Sequence, residues 1–140
     1  MATTTASITI ASSDLVPGMA TNYYKTSTLT KGGTSTGLEN IQSGKIEYTG
    51  TPSRKILLDQ SAIETQVGTI TDKANKVYVK NLSTDATEYF TIEINSIELG
   101  RLYAGDWMFI PWGATDAAAD VQVTASVATS MMLEFVLLHE

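Results

Sequence analysis

Apolar and polar residues alternate with a period of two along much of the chain, which is the pattern of β-strands that bury one of their two faces. The alternation is clearest in Lys76–Asn81, Glu88–Asn95 and Asp120–Val127, where aliphatic or aromatic residues recur at every second position. Clusters of Gly, Ser, Asn and Asp separate these segments, and apolar residues at helical spacing are scarce. The sequence therefore predicts an all-β chain.

The segment Trp107–Trp112 departs from this alternation because it is apolar at every position. Such a strand needs cover on both faces, so one face should meet the core and the other a second sheet, a loop or another chain. A turn at Gly105 and Asp106 precedes it, and Pro111, which has no amide hydrogen, predicts an edge strand or a bulge near its end. Met131–His139 is a second, almost unbroken apolar strand.

The first third of the chain is polar and rich in Thr, Ser and Gly. Residues 1–13 hold one short alternation, Ser7–Ile10, within a tail too polar to bury a core. We therefore expect an N-terminal arm over 1–13 and a single domain over 14–140. Asn22–Lys31 has mixed faces, as expected of an outer or edge strand, and Gly32–Gly44 is predicted to be a flexible loop.

Three further features divide the chain between these strands. The dipeptide Pro17-Gly18 predicts a turn. Lys45–Thr49 and Arg54–Asp59 are predicted to form a hairpin. Ser61–Lys73 is predicted to be a connection with at most one short helical turn, although its first four residues match a capping box. About nine or ten short strands at hairpin spacing predict an antiparallel two-sheet β-sandwich. A jelly-roll strand order is the working hypothesis within that class.

Composition points to an assembly subunit and excludes two classes of partner. Charged residues make up 17% of the chain, below the usual fraction of about 25%, while 43% of residues are hydrophobic. The net charge is −6 and the nine Lys and Arg are scattered, so we expect binding neither to nucleic acid nor to an anionic membrane. The chain has no cysteine, and its N-terminus does not resemble a signal peptide.

Candidate catalytic and metal-binding residues are few, and each has a structural explanation. His139 is the only histidine, so one chain cannot assemble a Ser-His-Asp triad or a multi-histidine metal site. Asp106 is predicted to cap its own turn, and Glu134 to pair with a Lys or Arg of a neighbouring strand or chain. Asp116 and Asp120 are predicted to lie in a solvated loop. We expect no enzyme activity, no cofactor and no metal.

Aromatic residues raise the alternative of a carbohydrate-binding surface, in which Tyr23, Tyr24, Trp107 and Trp112 would stack on sugar rings. On a regular strand, however, Trp107 and Trp112 point to opposite faces and form no joint platform. Core packing or a subunit interface is therefore the favoured interpretation of these residues.

Several segments along the chain share a pattern of strands and turns: S-I-T-I-A-S-S-D-L at Ser7–Leu15, T-L-T-K-G-G-T-S-T-G-L at Thr28–Leu38, K-V-Y-V-K-N at Lys76–Asn81, E-Y-F-T-I-E-I at Glu88–Ile94, L-Y-A-G-D-W-M-F-I-P-W at Leu102–Trp112 and the closing E-F-V-L-L-H-E. Through these segments most of the chain resembles the small β-sandwich virion proteins of tailed bacteriophages. The resemblance implies a capsid decoration or cement protein, made in the host cytoplasm and located in the virion. It also implies a homo-oligomer, with a trimer favoured, that contacts the major capsid protein or other virion proteins.

The resulting hypothesis is a non-enzymatic protein that stabilises a phage capsid by bridging neighbouring capsid subunits. The hypothesis assigns the subunit interface to eight residues: Ile8, Ile10, Trp107, Phe109, Trp112, Met132, Val136 and Leu138. Alternatives are a phage neck, tail or fibre component, or a carbohydrate-binding or receptor-binding β-sandwich module; a hydrolase built on carboxylates is the least favoured.

Overall fold

The computed structural model describes residues 3–16, 19–115 and 119–140. Within these ranges the chain forms ten strands and one short helix, and every pair of neighbouring strands is antiparallel. The prediction of an all-β sandwich is confirmed. The chain divides into two compact units, Met1–Glu39 and Asn40–Glu140.

The first unit is a long β-hairpin. Strand β1 (Thr4–Val16) pairs with strand β2 (Met19–Leu29), and their register places Thr4 opposite Leu29. The short strand predicted at Ser7–Ile10 is thus part of a longer one, which continues beyond the expected end of the arm at residue 13. The turn predicted at Pro17-Gly18 lies outside the described residues.

A compact turn follows the hairpin over residues 30–39. The amide of Lys31 donates to the carbonyl of Thr36 at 2.8 Å, and the amide of Leu38 donates to the carbonyl of Leu29 at 2.9 Å. The loop predicted over Gly32–Gly44 is too long, because the next strand already begins at Asn40.

The second unit contains two four-stranded sheets. Its elements are β3 (Asn40–Tyr48), β4 (Lys55–Leu58), α1 (Gln60–Val67), β5 (Asn75–Asn81), β6 (Tyr89–Ile94), β7 (Ile97–Tyr103), β8 (Trp107–Trp112), β9 (Val121–Ala125) and β10 (Met131–His139). The strand orders are β3-β10-β5-β8 and β4-β9-β6-β7. The first four strands of this unit therefore pair with its last four in reverse order, β3 with β10, β4 with β9, β5 with β8 and β6 with β7.

The hairpin predicted from Lys45–Thr49 and Arg54–Asp59 is wrong. Strand β3 pairs with β10 and strand β4 pairs with β9, so the two segments belong to different sheets. The turn between them carries the chain from one sheet to the other. Pairing with distant strands prevailed over pairing with the nearest one because it lets β3 and β4 face each other across one core.

The core lies between the two sheets and is built from the alternation seen in the sequence. Val77 and Val79 of β5, Phe90 and Ile92 of β6, and their equivalents in β9 and β10 are buried, as predicted. The ring of Tyr48 packs edge to face on Phe90, with 5.4 Å between centroids. Burial raises the pKa of the Tyr48 hydroxyl to about 12, since the phenolate would be desolvated there.

Helix α1 is longer than the single short turn predicted. Its N-cap also differs from the one predicted from the capping-box pattern. Asp59, and not Ser61, is the N-cap, since its carboxylate accepts from the amide of Ala62 at 2.8 Å. Glu64 is not part of a capping box. Its carboxylate accepts from the amides of Ile70 and Thr71 at 2.8 and 2.9 Å and from the hydroxyl of Thr71 at 2.8 Å. These bonds hold the segment after the helix against it.

Two fully buried asparagines anchor the ends of strand β5. The amide nitrogen of Asn75 donates to the carbonyls of Ile70 and Trp112. At the other end, the amide nitrogen of Asn81 donates to the carbonyl of Leu102 at 3.0 Å, and its oxygen accepts from the amide of Ser83 at 2.9 Å. Buried polar groups of this kind are costly to leave unpaired.

We expect Asn81→Ala to lower the free energy of unfolding by about 2 kcal/mol, because the carbonyl of Leu102 would lose its buried partner. Urea denaturation followed by circular dichroism measures this loss. Lys80→Ala is the matched control, since its side chain lies on the outer side of the same strand and its loss should change stability by less than about 0.5 kcal/mol. Equal losses in the two variants would contradict the assignment.

A second prediction concerns acid stability. The Thr71 hydroxyl, with the Ile70 and Thr71 amides, holds the pKa of the Glu64 carboxyl below its ordinary value. Because the pKa is lower in the folded chain than in the unfolded chain, this stabilisation is complete above the unfolded value and is lost as the pH falls through the folded value. We expect Glu64→Gln to lower the melting temperature at neutral pH, with a difference that shrinks on acidification. A pH-independent difference in thermal melts would be contrary to this account.

Candidate interaction surface

The outer side of the β3-β10-β5-β8 sheet carries most of the candidate residues. Alternate positions of each strand are buried or partly buried toward the core, so the positions between them point away from it. We call the set of outward side chains on this sheet the apolar face. Its members are Ile41, Ser43, Lys45, Glu47, Lys76, Tyr78, Lys80, Trp107, Phe109, Pro111, Met132, Glu134, Val136 and Leu138.

The register of the four strands arranges these side chains in rows. The central row consists of Ser43, Val136, Tyr78 and Phe109. One flanking row consists of Lys45, Glu134, Lys80 and Trp107, and the other consists of Ile41, Leu138, Lys76 and Pro111. Apolar side chains thus form a continuous band, and the lysines lie in the flanking rows.

Three aromatic side chains cluster at the β8 edge of this face. The rings of Tyr78 and Trp107 lie 6.2 Å apart with 33° between their planes, and Phe109 is the cross-strand neighbour of Tyr78. Trp107 is 49% exposed and Phe109 36% exposed. Partial burial, together with the nearby charge of Glu134, raises the pKa of the Tyr78 hydroxyl. Strand β8 is at the edge of the sheet, as Pro111 predicted.

The charged groups on the apolar face are partly paired with each other. The carboxylate of Glu134 lies 3.9 Å from the ammonium group of Lys45, which confirms the expected pairing with a neighbouring strand. On the other side of Glu134, Lys80 is its cross-strand neighbour on β5. The ammonium group of Lys76 donates to the carbonyl of Ala74 at 3.1 Å. The lysine side chains in the flanking rows therefore present a charged ammonium group at the tip and apolar methylene groups along the stem.

The outer side of the other sheet is mostly polar on its central strands, β9 and β6, and supplies a contrast. Its outward positions include Thr91, Glu93, Gln122 and Thr124, all partly exposed. Arg54 donates to the Glu93 carboxylate at 3.2 Å. The exposed apolar side chains of this sheet, Ile56, Ile97, Leu99 and Tyr103, lie on its two edge strands. The ring of Tyr103 contacts the ring of Tyr89 on β6, with 5.2 Å between centroids. The two outer sides of the sandwich thus differ in chemistry, although both belong to four-stranded sheets.

The apolar face covers on the order of 400 Å², from the spacing between strands and the rise per residue. Eight of the fourteen side chains on this face are apolar, so its apolar part is on the order of 200 Å². Ile41 and Met132, at the β3 and β10 positions farthest from the aromatic cluster, are 64% and 43% exposed. The exposed area therefore extends across the whole sheet.

Five of the eight predicted interface residues lie together on this face: Trp107, Phe109, Met132, Val136 and Leu138. Trp112 does not, because it is 2% exposed in the core and its indole N–H donates to the carbonyl of Ala119 at 2.7 Å. The two tryptophans point to opposite sides of β8, as the odd spacing indicated. Sequence reasoning missed Tyr78 and Ile41, although the alternation of Tyr78 with buried valines was a usable signal.

The remaining two predicted residues, Ile8 and Ile10, lie on the hairpin of the first unit. They share one side of strand β1, and Ile10 is opposite Tyr23 of β2. Ile10 is 55% exposed and Tyr23 is 49% exposed. The hairpin therefore carries an exposed apolar strip of its own.

The residues considered for chemistry have structural roles. Asp106 accepts from the amide of Tyr103 at 3.0 Å, as expected of a turn cap. Asp120 is buried and accepts from the amide of Gln60 at 2.9 Å, so its prediction as a solvated loop residue is wrong; Asp116 lies outside the described residues. His139 is buried, with Nδ1 3.1 Å from the backbone oxygen of Glu140. Within the described ranges, no three His, Asp or Glu side chains form a group able to hold a metal ion.

Comparisons with protein families, with curated proteins and with solved structures find no match to this chain. No helix in the described part of the chain is both long enough and apolar enough to span a bilayer.

We expect the two tryptophans to behave differently when each is replaced by phenylalanine. Trp112→Phe should lower the free energy of unfolding by about 2–3 kcal/mol, since it removes core volume and the indole hydrogen bond. Trp107→Phe should change it by less than about 0.5 kcal/mol.

Fluorescence provides an independent measurement on the same variants. The Trp107→Phe protein retains only the buried Trp112, so its emission should be blue-shifted and weakly quenched by acrylamide. Similar acrylamide quenching of the Trp107→Phe and Trp112→Phe proteins would contradict the placement of the two tryptophans on opposite sides of β8.

Proposed function

We propose that this protein is a structural subunit of a phage virion, a decoration or cement protein that stabilises the capsid by bridging neighbouring capsid subunits. The observation that carries the proposal is the difference between the two outer sides of the sandwich. The outer side of one sheet carries exposed Ile41, Trp107, Phe109 and Met132 beside half-buried Tyr78, Val136 and Leu138, whereas the outer side of the other sheet is mostly polar on its central strands. A difference of this kind supports an asymmetric contact surface on the subunit.

Burial of the apolar face against protein would be favourable. At about 25 cal/mol per Å², on the order of 200 Å² of apolar surface is a driving force of roughly 5 kcal/mol before the costs of association. Those costs consume most of it, so a single contact would be weak. A lattice that presents the same contact many times would convert weak contacts into firm attachment.

Bridging requires at least two contact surfaces on one subunit, and the chain offers two. The apolar face belongs to the second unit, and the strip with Ile8 and Ile10 belongs to the first. The partners proposed for these surfaces are further copies of the chain, with a trimer favoured, and the major capsid protein. Asp106 caps a turn, Asp120 accepts a buried hydrogen bond and Glu134 pairs with Lys45, and these structural roles suit a non-enzymatic protein of the virion.

We also propose that the sandwich is a jelly roll. Support comes from the four nested strand pairs and from the alternation of consecutive strands β3 to β6 between the two sheets. A chain that pairs its first four strands with its last four and then folds over as one long ribbon yields this order. The rigid sheets of such a sandwich would hold the apolar face in a fixed shape.

A second candidate function is binding of carbohydrate or of a glycosylated receptor. The aromatic cluster of Tyr78, Trp107 and Phe109 favours it, because these rings lie side by side on one outer surface and stacking on sugars needs such a surface. Glu134 and Lys80 beside them would offer hydrogen bonds to hydroxyl groups. A neck, tail or fibre location would suit either function.

We expect the purified chain to form a closed oligomer, and Phe109→Asp to shift it to monomer, since a carboxylate within the aromatic cluster of the apolar face would be buried in the contact without a partner. Light scattering over a range of concentrations measures the mass. Thr124→Asp is the matched control, because it places the same charge on the polar outer side and should leave the oligomer intact. Loss of the oligomer in both variants, or in neither, would argue against the apolar face as the contact.

Location in the particle distinguishes the candidates. An antibody against the chain should label the heads of particles purified from a lysate in which the chain is produced. Label at the tail would support a neck, tail or fibre component. Binding of the wild-type chain to an array of glycans, lost in Trp107→Ala and retained in Thr124→Asp, would support the carbohydrate-binding alternative.

A further inference from the structure

We infer that the hairpin of one copy packs its apolar strip on the apolar face of a second copy, so that copies are joined by an exchange of hairpins. The inference rests on the proposed function, since it identifies the partner of the apolar face. It also assigns a role to the first unit, which the proposed function uses only as a second contact surface.

The hairpin has two chemically different sides. One carries Ile8 and Ile10 on β1 and Tyr23 on β2, all exposed. The other is a ladder of hydroxyl groups, in which Ser7 and Thr26 are hydrogen-bonded at 2.8 Å and Thr26 is hydrogen-bonded to the Tyr24 hydroxyl at 2.8 Å. A ribbon with one apolar and one hydroxyl-rich side is suited to lie flat on an apolar surface with its polar side in water.

A two-stranded ribbon has little stability by itself, because it has no third strand and no core. Both strands of this one are nonetheless long, with 13 and 11 residues. Packing of the strip on another surface would supply the missing burial. The strip therefore needs a partner for its own stability as much as for assembly.

Charge favours the hairpin over a second apolar face as the occupant. Direct pairing of two apolar faces would enclose five charged side chains from each copy, Lys45, Glu47, Lys76, Lys80 and Glu134, in one contact, and burial of charged groups is costly. Among the hairpin side chains that the structure describes, Lys25 alone is charged. It lies opposite Ile8 on the apolar side, where it would meet a face that offers the carboxylates of Glu47 and Glu134.

Area indicates that the exchange must close on itself. The paired part of the hairpin has a footprint on the order of 300 Å², so one hairpin on one face buries roughly 600 Å² in total. A buried area of that size is typical of crystal-packing contacts and too small for a stable complex. Two or more such contacts in a closed ring bury roughly 1,200 Å² or more, which reaches the range of stable interfaces. A dimer or trimer with reciprocal or cyclic exchange satisfies this requirement.

The absence of cysteine allows a direct test by disulfide trapping. One copy carries Ile10→Cys, and a co-expressed copy with a longer tag carries Val136→Cys in the central row of the apolar face. After mild oxidation, we expect a disulfide-linked species with the summed mass of the two copies. Thr9→Cys in place of Ile10→Cys is the matched control, because Thr9 lies on the hydroxyl-rich side of the same strand and should yield at least about tenfold less of that species.

A second measurement covers the case in which the cysteine variants fold poorly. The double variant Ile8→Asp, Ile10→Asp should weaken self-association by roughly 100-fold in light scattering, a difference of two powers of ten in the dissociation constant. Thr9→Asp should leave association within a few-fold of the wild-type chain.

The outcomes separate this inference from the proposed function. If Phe109→Asp dissociates the oligomer but no Ile10–Val136 link forms and the Ile8, Ile10 variant still associates, the hairpin exchange is overturned and the apolar face remains the contact. In a chain that carries both Ile10→Cys and Val136→Cys, a disulfide formed within one copy, with no linked pair of copies, would also overturn the exchange. A wild-type chain that stays monomeric overturns the exchange, while particle labelling then decides the virion role.

Discussion

Strand β10 holds the β3-β10-β5-β8 sheet together, because its two edges pair with β3 on one side and with β5 on the other. Strand β9 occupies the same position in the second sheet, between β4 and β6. The strands that these two join are far apart in the sequence, so the sandwich forms only when distant segments meet. The apolar face depends on this constraint, since its rows combine side chains from all four strands of the β10 sheet.

Sequence alone predicted the strands whose two faces differ in polarity. Val77 and Val79 were correctly predicted to face the core, because alternating apolar and polar residues put all the apolar side chains on one side of a strand. The partner of each strand was not predictable in this way. Strands β3 and β4 are neighbours in sequence and were expected to pair, but alternation carries no information on which strand lies alongside, and the shared core selected β10 and β9.

The candidate surface was predictable in part for the same reason. Trp107 and Phe109 share one side of β8, and Trp112 lies on the other, yet a strand that is apolar at every position does not reveal which side is the core. Tyr78 joined the surface through cross-strand register, which a single sequence does not contain. The helix cap at Asp59 and the carboxylate of Glu64, which binds three donors, likewise depend on contacts formed after folding.

The outer side of the β4-β9-β6-β7 sheet limits how any assembly could grow. A subunit that used its apolar face for contact would direct Thr91, Gln122 and Thr124 of the central strands at water. The exposed apolar side chains of this sheet, Ile56, Ile97, Leu99 and Tyr103, lie on its edge strands β4 and β7. A second layer of subunits would therefore have to attach along the margins of the sheet rather than on its centre.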